Sequence, residues 1–233
     1  MIERYKSNLG GTPTEIEVDL AFAPDPDTSW MLWAFTPLQH LKDERDDLLL
    51  IIKEICVRLE LKNGIHYAGS KISDDWIEIY FYAASSKGAE GLIRDSLSKH
   101  GYEKIEFGVH RDSKQLFYHQ TLLPDTYELQ AIESKKIVDE LEAEGDDLSR
   151  ARRVEHYLGF ATSSIASRVA KDLIDLGESR VELREDPHHS HVLVLDSRHT
   201  LDGNELRTIT KRLIESALKE HGKYLGWSTT YAK

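Results

Sequence analysis

Val154-Glu155-His156-Tyr157-Leu158-Gly159-Phe160 reads as a strand, with Val154, His156, Leu158 and Phe160 on one side of an alternating segment and Glu155 and Tyr157 on the other. The residues C-terminal to this strand decide the fold class. Residues 163–176 set Ile165, Val169, Leu173 and Leu176 on one helical face and stop at Gly177. Residues 180–184 and 191–196 read as two middle strands. Residues 202–221 form a second helix with Leu206, Ile209, Leu213, Ala217 and Leu218 inward and Gly222 as its stop, and residues 224–231 a last strand. The order βαββαβ is that of the split, ferredoxin-like unit, an antiparallel four-stranded sheet with both helices on one face.

The first half of the chain repeats this order. Residues 30–35 read as a strand, residues 45–61 as a helix through Leu48, Ile52, Ile55 and Leu59, and residues 66–72 and 76–83 as a strand pair joined by Ser73-Asp74-Asp75. Residues 87–100 supply a second helix ended by Gly101, residues 105–110 a fourth strand and residues 116–123 a further strand. Residues 15–22 alternate through Ile16, Val18, Leu20 and Phe22 and mark an extra edge or hairpin strand, and residues 127–143 read as a connecting helix broken by Gly145-Asp146-Asp147. The expected fold is therefore α+β, two tandem ferredoxin-like βαββαβ units with antiparallel sheets, divided into residues 1–124 and residues 125–233.

Composition narrows the function classes. The chain has 233 residues, 40% hydrophobic and 30% charged, with a formal net charge of −11, the profile of a globular protein rather than a disordered one. No apolar run approaches a membrane span, and Met1-Ile2-Glu3-Arg4-Tyr5 lacks the apolar core of a signal peptide, so a cytoplasmic protein without membrane contact is expected. Cys56, the single cysteine, lies at helical spacing among aliphatic residues and reads as a small core hydrophobe. Nonspecific affinity for nucleic acid comes from lysines and arginines neutralising phosphates. A chain this acidic repels RNA, and a basic protein partner suits its charge better.

The helix-free faces of the two sheets carry apolar residues. Val192-Leu193-Val194-Leu195 is apolar at every position, Trp30 to Phe35 nearly so, and Trp76, Tyr80 and Tyr82 share one side of their strand. Both faces are expected to be covered, by the other sheet or by a second copy in a homo-oligomer. The alternative, an aromatic platform stacking RNA bases, would need basic surroundings that these strands lack.

Chemistry-bearing residues are sparse. His188-His189-Ser190-His191 could place two imidazoles on one side of an extended segment, with Glu185 or Asp186 as a further ligand, in a small metal-dependent enzyme. The same residues fall where a hairpin turn belongs, and a polar loop accounts for them more economically. His156 on its apolar side reads as a hydrogen-bonded structural histidine, and Trp227 as a packing anchor. Asp146 or Asp147 suits the cap of a short turn over residues 148–152, whereas Glu140, Glu142 and Glu144 oppose the dipole of their own helix and suit a partner. No serine elbow, glycine-rich phosphate loop, zinc spacing or paired-cysteine motif occurs, so no catalytic, cofactor-binding or metal-binding residue is assigned.

Two ends of the second unit carry a family resemblance. An acidic turn, Asp146-Asp147, leads into Val154-Glu155-His156, and the chain closes on Tyr224-Leu225-Gly226-Trp227. This pair of motifs, covering residues 125–233, resembles the regulator of ribonuclease E activity B family, in which a strand with Val/Ile-Glu-His opens the domain and one with Tyr-x-Gly-Trp ends it. The first unit, through residues 75–82 and Leu122-Leu123-Pro124, resembles a domain family of unknown function that precedes such regulators. The resemblance implies a noncatalytic regulator that binds the scaffold region of ribonuclease E and alters RNA decay. It leaves the roles of Asp146, Asp147, Glu155, His156, Gly226 and Trp227 unassigned. The best-known members continue into a long acidic tail after the Gly-Trp strand, whereas this sequence stops at Lys233, which implies weaker binding or a different target.

Overall fold

The computed structural model describes residues 2–22, 27–38, 44–73, 76–175, 180–186 and 190–232. They form two compact units, Met1–Pro124 and Asp125–Lys233, each an antiparallel sheet with helices, an α+β architecture.

The N-terminal unit opens with a hairpin, β1 (Ile2–Leu9) and β2 (Thr12–Asp19). Its turn is Gly10-Gly11, with φ of 61° and 94°, and Leu9 pairs with Thr12 across it, the two-residue geometry that needs positive φ at both central positions. Then come β3 (Trp30–Pro37), α1 (Glu44–Asn63), β4 (Ile65–Ser73), β5 (Trp76–Ala83), α2 (Ala89–Ser98) and β6 (Glu106–Arg111). The sheet runs β1-β2-β4-β5-β3-β6. On its helix side Leu32, Ala34, Ile77, Ile79 and Phe81 pack against Ile52, Ile55, Cys56 and Leu59 of α1 and Ile93 and Leu97 of α2. Asp74 and Asp75, expected in the β4–β5 turn, and the side chain of Leu48 lie outside the described residues.

Residues 116–123 are not a strand. Leu116 and Phe117 are helical and Tyr118–Leu122 is a π-helical turn. The cause is Asp112, whose carboxylate accepts hydrogen bonds from the Leu116 N–H at 2.8 Å and the Phe117 N–H at 3.0 Å, satisfying donors that a strand would have paired elsewhere. The Tyr82 hydroxyl donates to the same carboxylate at 2.7 Å. That turn lies on the helix-free face of the sheet. Tyr5 donates to the Leu122 carbonyl at 2.9 Å, Tyr118 to the Asp19 carbonyl at 2.8 Å, and the Phe117 ring sits 4.4 Å from Tyr80. The cover expected over this face therefore comes from within the unit. Farther along the face, Trp33 lies over Gly108, where a Cβ would stand 2.2 Å from its ring, and Phe35 stacks on Trp76 at 4.4 Å.

The C-terminal unit begins with α3 (Thr126–Ala143), opened by a reciprocal cap in which the Asp125 carboxylate accepts from the Glu128 N–H at 2.8 Å and Glu128 from the Asp125 N–H at 2.9 Å. Next come β7 (Arg152–Phe160), α4 (Ser163–Asp175), β8 (Arg180–Asp186), β9 (Ser190–His199), α5 (Gly203–Lys219) and β10 (Lys223–Thr229), in the sheet order β10-β7-β9-β8. Leu158, Phe160, Leu193 and Leu195 face Ala166, Val169 and Leu173 of α4 and Leu213 and Ala217 of α5. Leu176 and Gly177, expected at the end of α4, lie outside the described residues.

On the other face of this sheet Val192 and Val194 are buried at 7% and 3% exposure. Their cross-strand neighbours are mostly polar. Val192 pairs with Arg184 and Val194 with Glu182 and Tyr157, and Arg153 on the same side is 60% exposed. Both valines are shielded from water, and the neighbouring strands set Glu182, Arg184 and Tyr157 beside them.

Candidate functional site

β10 departs from simple alternation. Tyr224 pairs with Leu158 and Trp227 with His156, with a register shift between Tyr224 and Gly226. Leu158 and His156 both face the helices, so the extra residue turns Tyr224 and Trp227, three positions apart, to the same side. Gly226 has φ of 120°, a conformation that a residue with a Cβ rarely adopts. The spacing Tyr-x-Gly-Trp is therefore a bulge that aims two aromatic residues inward.

Trp227, 5% exposed, packs with Val154, Leu201 and Leu206 and against Ile137, Val138 and Leu141 of α3. Its indole N–H donates to Ser134 Oγ at 2.9 Å, which supplies the partner a buried indole needs. The last strand is thereby fastened to the connecting helix.

Tyr224 begins a buried chain of hydrogen bonds. Its hydroxyl is 2.7 Å from His156 Nδ1, His156 Nε2 is 3.0 Å from His199 Nε2, and His199 Nδ1 is 2.6 Å from the Thr200 carbonyl. The carbonyl can only accept, which fixes the tautomers. His199 Nδ1–H donates to it, His199 Nε2 accepts from His156 Nε2–H, and His156 Nδ1 accepts from the Tyr224 hydroxyl. His156 and His199 are 0% and 2% exposed. Burial first, then the neighbouring His199 and Arg212, push the His156 imidazole down to about 3, and burial pushes the Tyr224 phenol up.

The acidic turn forms a second knot. The Asp146 side chain has no exposure and the Arg152 side chain 5%. Arg152 Nη1 donates to Asp146 Oδ2 at 2.7 Å and stands 2.6 Å from Oδ1, which takes no hydrogen bond of its own. The Ala232 N–H donates to Oδ2 at 2.7 Å, the Asp147 N–H to the Ala232 carbonyl at 3.0 Å, and Tyr231 to the Glu144 carbonyl. Burial acts to raise the Asp146 carboxyl, but the Ala232 N–H and the Arg152 guanidinium outweigh it and hold the carboxyl below the usual carboxylate range. Asp147 instead accepts from the Ser149 N–H at 3.1 Å and the Ser149 hydroxyl at 2.6 Å, closing the turn toward β7.

Glu155 points the opposite way from His156. It accepts from Arg153 at 2.7 Å and from the Tyr157 hydroxyl at 2.8 Å, while Arg153 grips Asp196 through two bonds of 3.0 and 2.9 Å. The Tyr157 hydroxyl is also 2.7 Å from Ser228 Oγ. This network lies on the helix-free face and is the polar surface that the motif strand presents to solvent.

The predicted residues thus divide into three groups. His156, Gly226 and Trp227 meet on the helix side, Asp146 and Asp147 sit at the turn, and Glu155 faces outward. Their partners His199, Ser134 and Arg152 carry no local motif that marks them in the sequence. His199 lies at the end of β9, which runs three residues beyond the expected 196, and its alternation with Leu195 was the available signal. Of the His188-to-His191 segment, His188 and His189 lie outside the described residues, and among the described residues no group of three metal-ligating side chains converges. Cys56 is buried at 7% exposure, and burial, with Glu17 and Glu60 nearby, pushes its thiol up, which keeps it protonated and inert. Among the described residues no helix is long and apolar enough to cross a membrane.

No curated protein matches the chain. Residues 41–123 match a family of unknown function, DUF695, and lie within the N-terminal unit. The C-terminal unit carries a match to the family Regulator of ribonuclease activity B over residues 131–229, spanning the His156 strand, the helix-side histidine chain and the Gly226-Trp227 bulge.

Proposed function

We propose that this chain is a noncatalytic, protein-binding regulator that acts in the cytoplasm on ribonuclease E and slows RNA decay. The observation that carries the reading is the regulator-family match over residues 131–229. The motif residues there are spent on architecture: His156 and Trp227 are bound to Tyr224, His199 and Ser134. We assign residues 125–233 as the regulatory domain and residues 1–124 as an accessory domain. Both are ferredoxin-like units, a reading supported by the sheet orders β10-β7-β9-β8 and β4-β5-β3-β6, the latter extended by the β1–β2 hairpin.

Within the regulatory domain, Asp146, His156, Gly226 and Trp227 hold the fold, while Glu155 and the exposed acids Glu140, Glu142 and Glu144 face a partner. With a net charge of −11, the chain suits a basic, flexible protein segment and not RNA itself. The test is ribonuclease E cleavage of a structured RNA with and without the purified chain. Cleavage slows in its presence, and the chain alone leaves the RNA intact. Unaltered cleavage at saturating chain, or cleavage by the chain alone, would overturn the proposal.

A further inference from the structure

We infer that the C-terminal unit contains an acid-sensitive latch, in which the chain Tyr224–His156–His199–Thr200 ties the edge strand β10 to the central strands β7 and β9 only while the His156 imidazole is neutral. The chain has one direction. Three donors and three acceptors are matched between a half-buried hydroxyl and a backbone carbonyl, and the middle of the chain is closed to water, with His156 at 0% and His199 at 2% exposure.

An added proton must enter this row. At His156 Nδ1 it reverses the Tyr224 hydroxyl from donor to acceptor, and it leaves a cation where no solvent can stabilise it. The surroundings do not compensate at His156. From β10 it faces the Tyr224 phenol, from β9 the His199 ring at 5.3 Å, and from α5 the positive charge of Arg212. The Glu205 carboxylate of α5 acts on the His199 end only, through its bonds to Thr200.

The strand β10 sits at the sheet edge and pairs with β7 alone. It also carries Trp227, bound to Ser134 of α3. Opening the latch therefore frees the last strand and its hold on the connecting helix together. An unfolded imidazole takes up a proton near pH 6.5, whereas the folded His156 resists down to about 3. Stability from the latch is complete above that upper value and is lost as pH falls below it.

The full chain, labelled with 5-fluorotryptophan and 15N-histidine, provides the test. Trp227 reports on the latch, and Trp30, Trp33 and Trp76 report on the N-terminal unit. Between pH 7 and pH 5 the urea unfolding constant read from Trp227 rises about 25-fold, as expected for one proton taken up only on unfolding. In His156→Gln that dependence flattens. Should this variant fail to fold, the wild-type imidazole 15N shifts decide, with His156 remaining neutral at pH 5 for as long as the folded Trp227 signal persists. A charged His156 in the folded protein at pH 5, or a Trp227 unfolding constant that does not change between the two pH values, would overturn the inference.

Discussion

Asp146→Asn removes a charge while keeping the shape of the side chain, and it isolates what the acidic turn contributes. Arg152, 5% exposed at its side chain, would lose its buried carboxylate partner and keep the carbonyls of Arg150 and Asp147. Breaking a buried pair by removing one partner costs about 3–5 kcal/mol. The lower end applies, because the pair sits just beneath the surface and the amide oxygen can still accept from Ala232. A loss of about 3 kcal/mol corresponds to an unfolding constant raised on the order of 100-fold. With an m value of about 2 kcal/mol/M it moves the urea midpoint of the C-terminal unit down by about 1.5 M. The pH dependence provides an internal check. A carboxyl held low when folded stabilises above its unfolded value and loses that contribution as pH falls through the folded one. The gap between wild type and variant therefore narrows in acid. A variant within about 0.5 kcal/mol of wild type at pH 7, the range of ordinary surface changes, would refute the role given to Asp146.

The geometry sets three further outcomes. Gly226→Ala places a Cβ at φ of 120° and should cost about 1–3 kcal/mol in urea unfolding of the C-terminal unit, although no neighbouring atom lies within 4 Å of it. Gly108→Ala meets the Trp33 ring at 2.2 Å and should destabilise the N-terminal unit by about 1–3 kcal/mol, with a shift in the Trp33 fluorine resonance. Tyr82→Phe removes one of the three donors to the Asp112 carboxylate and the hydroxyl that accepts from the Tyr118 N–H. It should speed amide exchange across residues 116–122.

The order of elements was legible because hydrophobic periodicity is local. Val169 and Leu173 on α4, or Ile52, Ile55 and Leu59 on α1, face inward as their spacing requires. Failures came where a distant group decides a local conformation. Residues 116–123 alternate well enough for a strand, but Asp112 and Tyr82 take their N–H groups and coil them into a helical turn. The strand β1 was missed because Ile2–Leu9 is largely polar, although Gly10-Gly11 carried the hairpin signal. Asp146 could be placed near a turn, but not in a buried pair closed by Ala232, because that contact spans 86 residues. His156 was readable as an inward-facing histidine. Its partner His199 was not, since register across β7 and β9 is set by the whole sheet.

The proposed function has this chain hold a basic segment of ribonuclease E rather than act by chemistry of its own. Calorimetric titration of the full chain with the noncatalytic region of ribonuclease E tests it most directly, first at low salt and then at rising ionic strength. Binding at low salt is expected, weakening as the screening length shortens to about 8 Å near physiological ionic strength, with added RNA taking no share of the chain's surface. An absence of binding at low salt would contradict it.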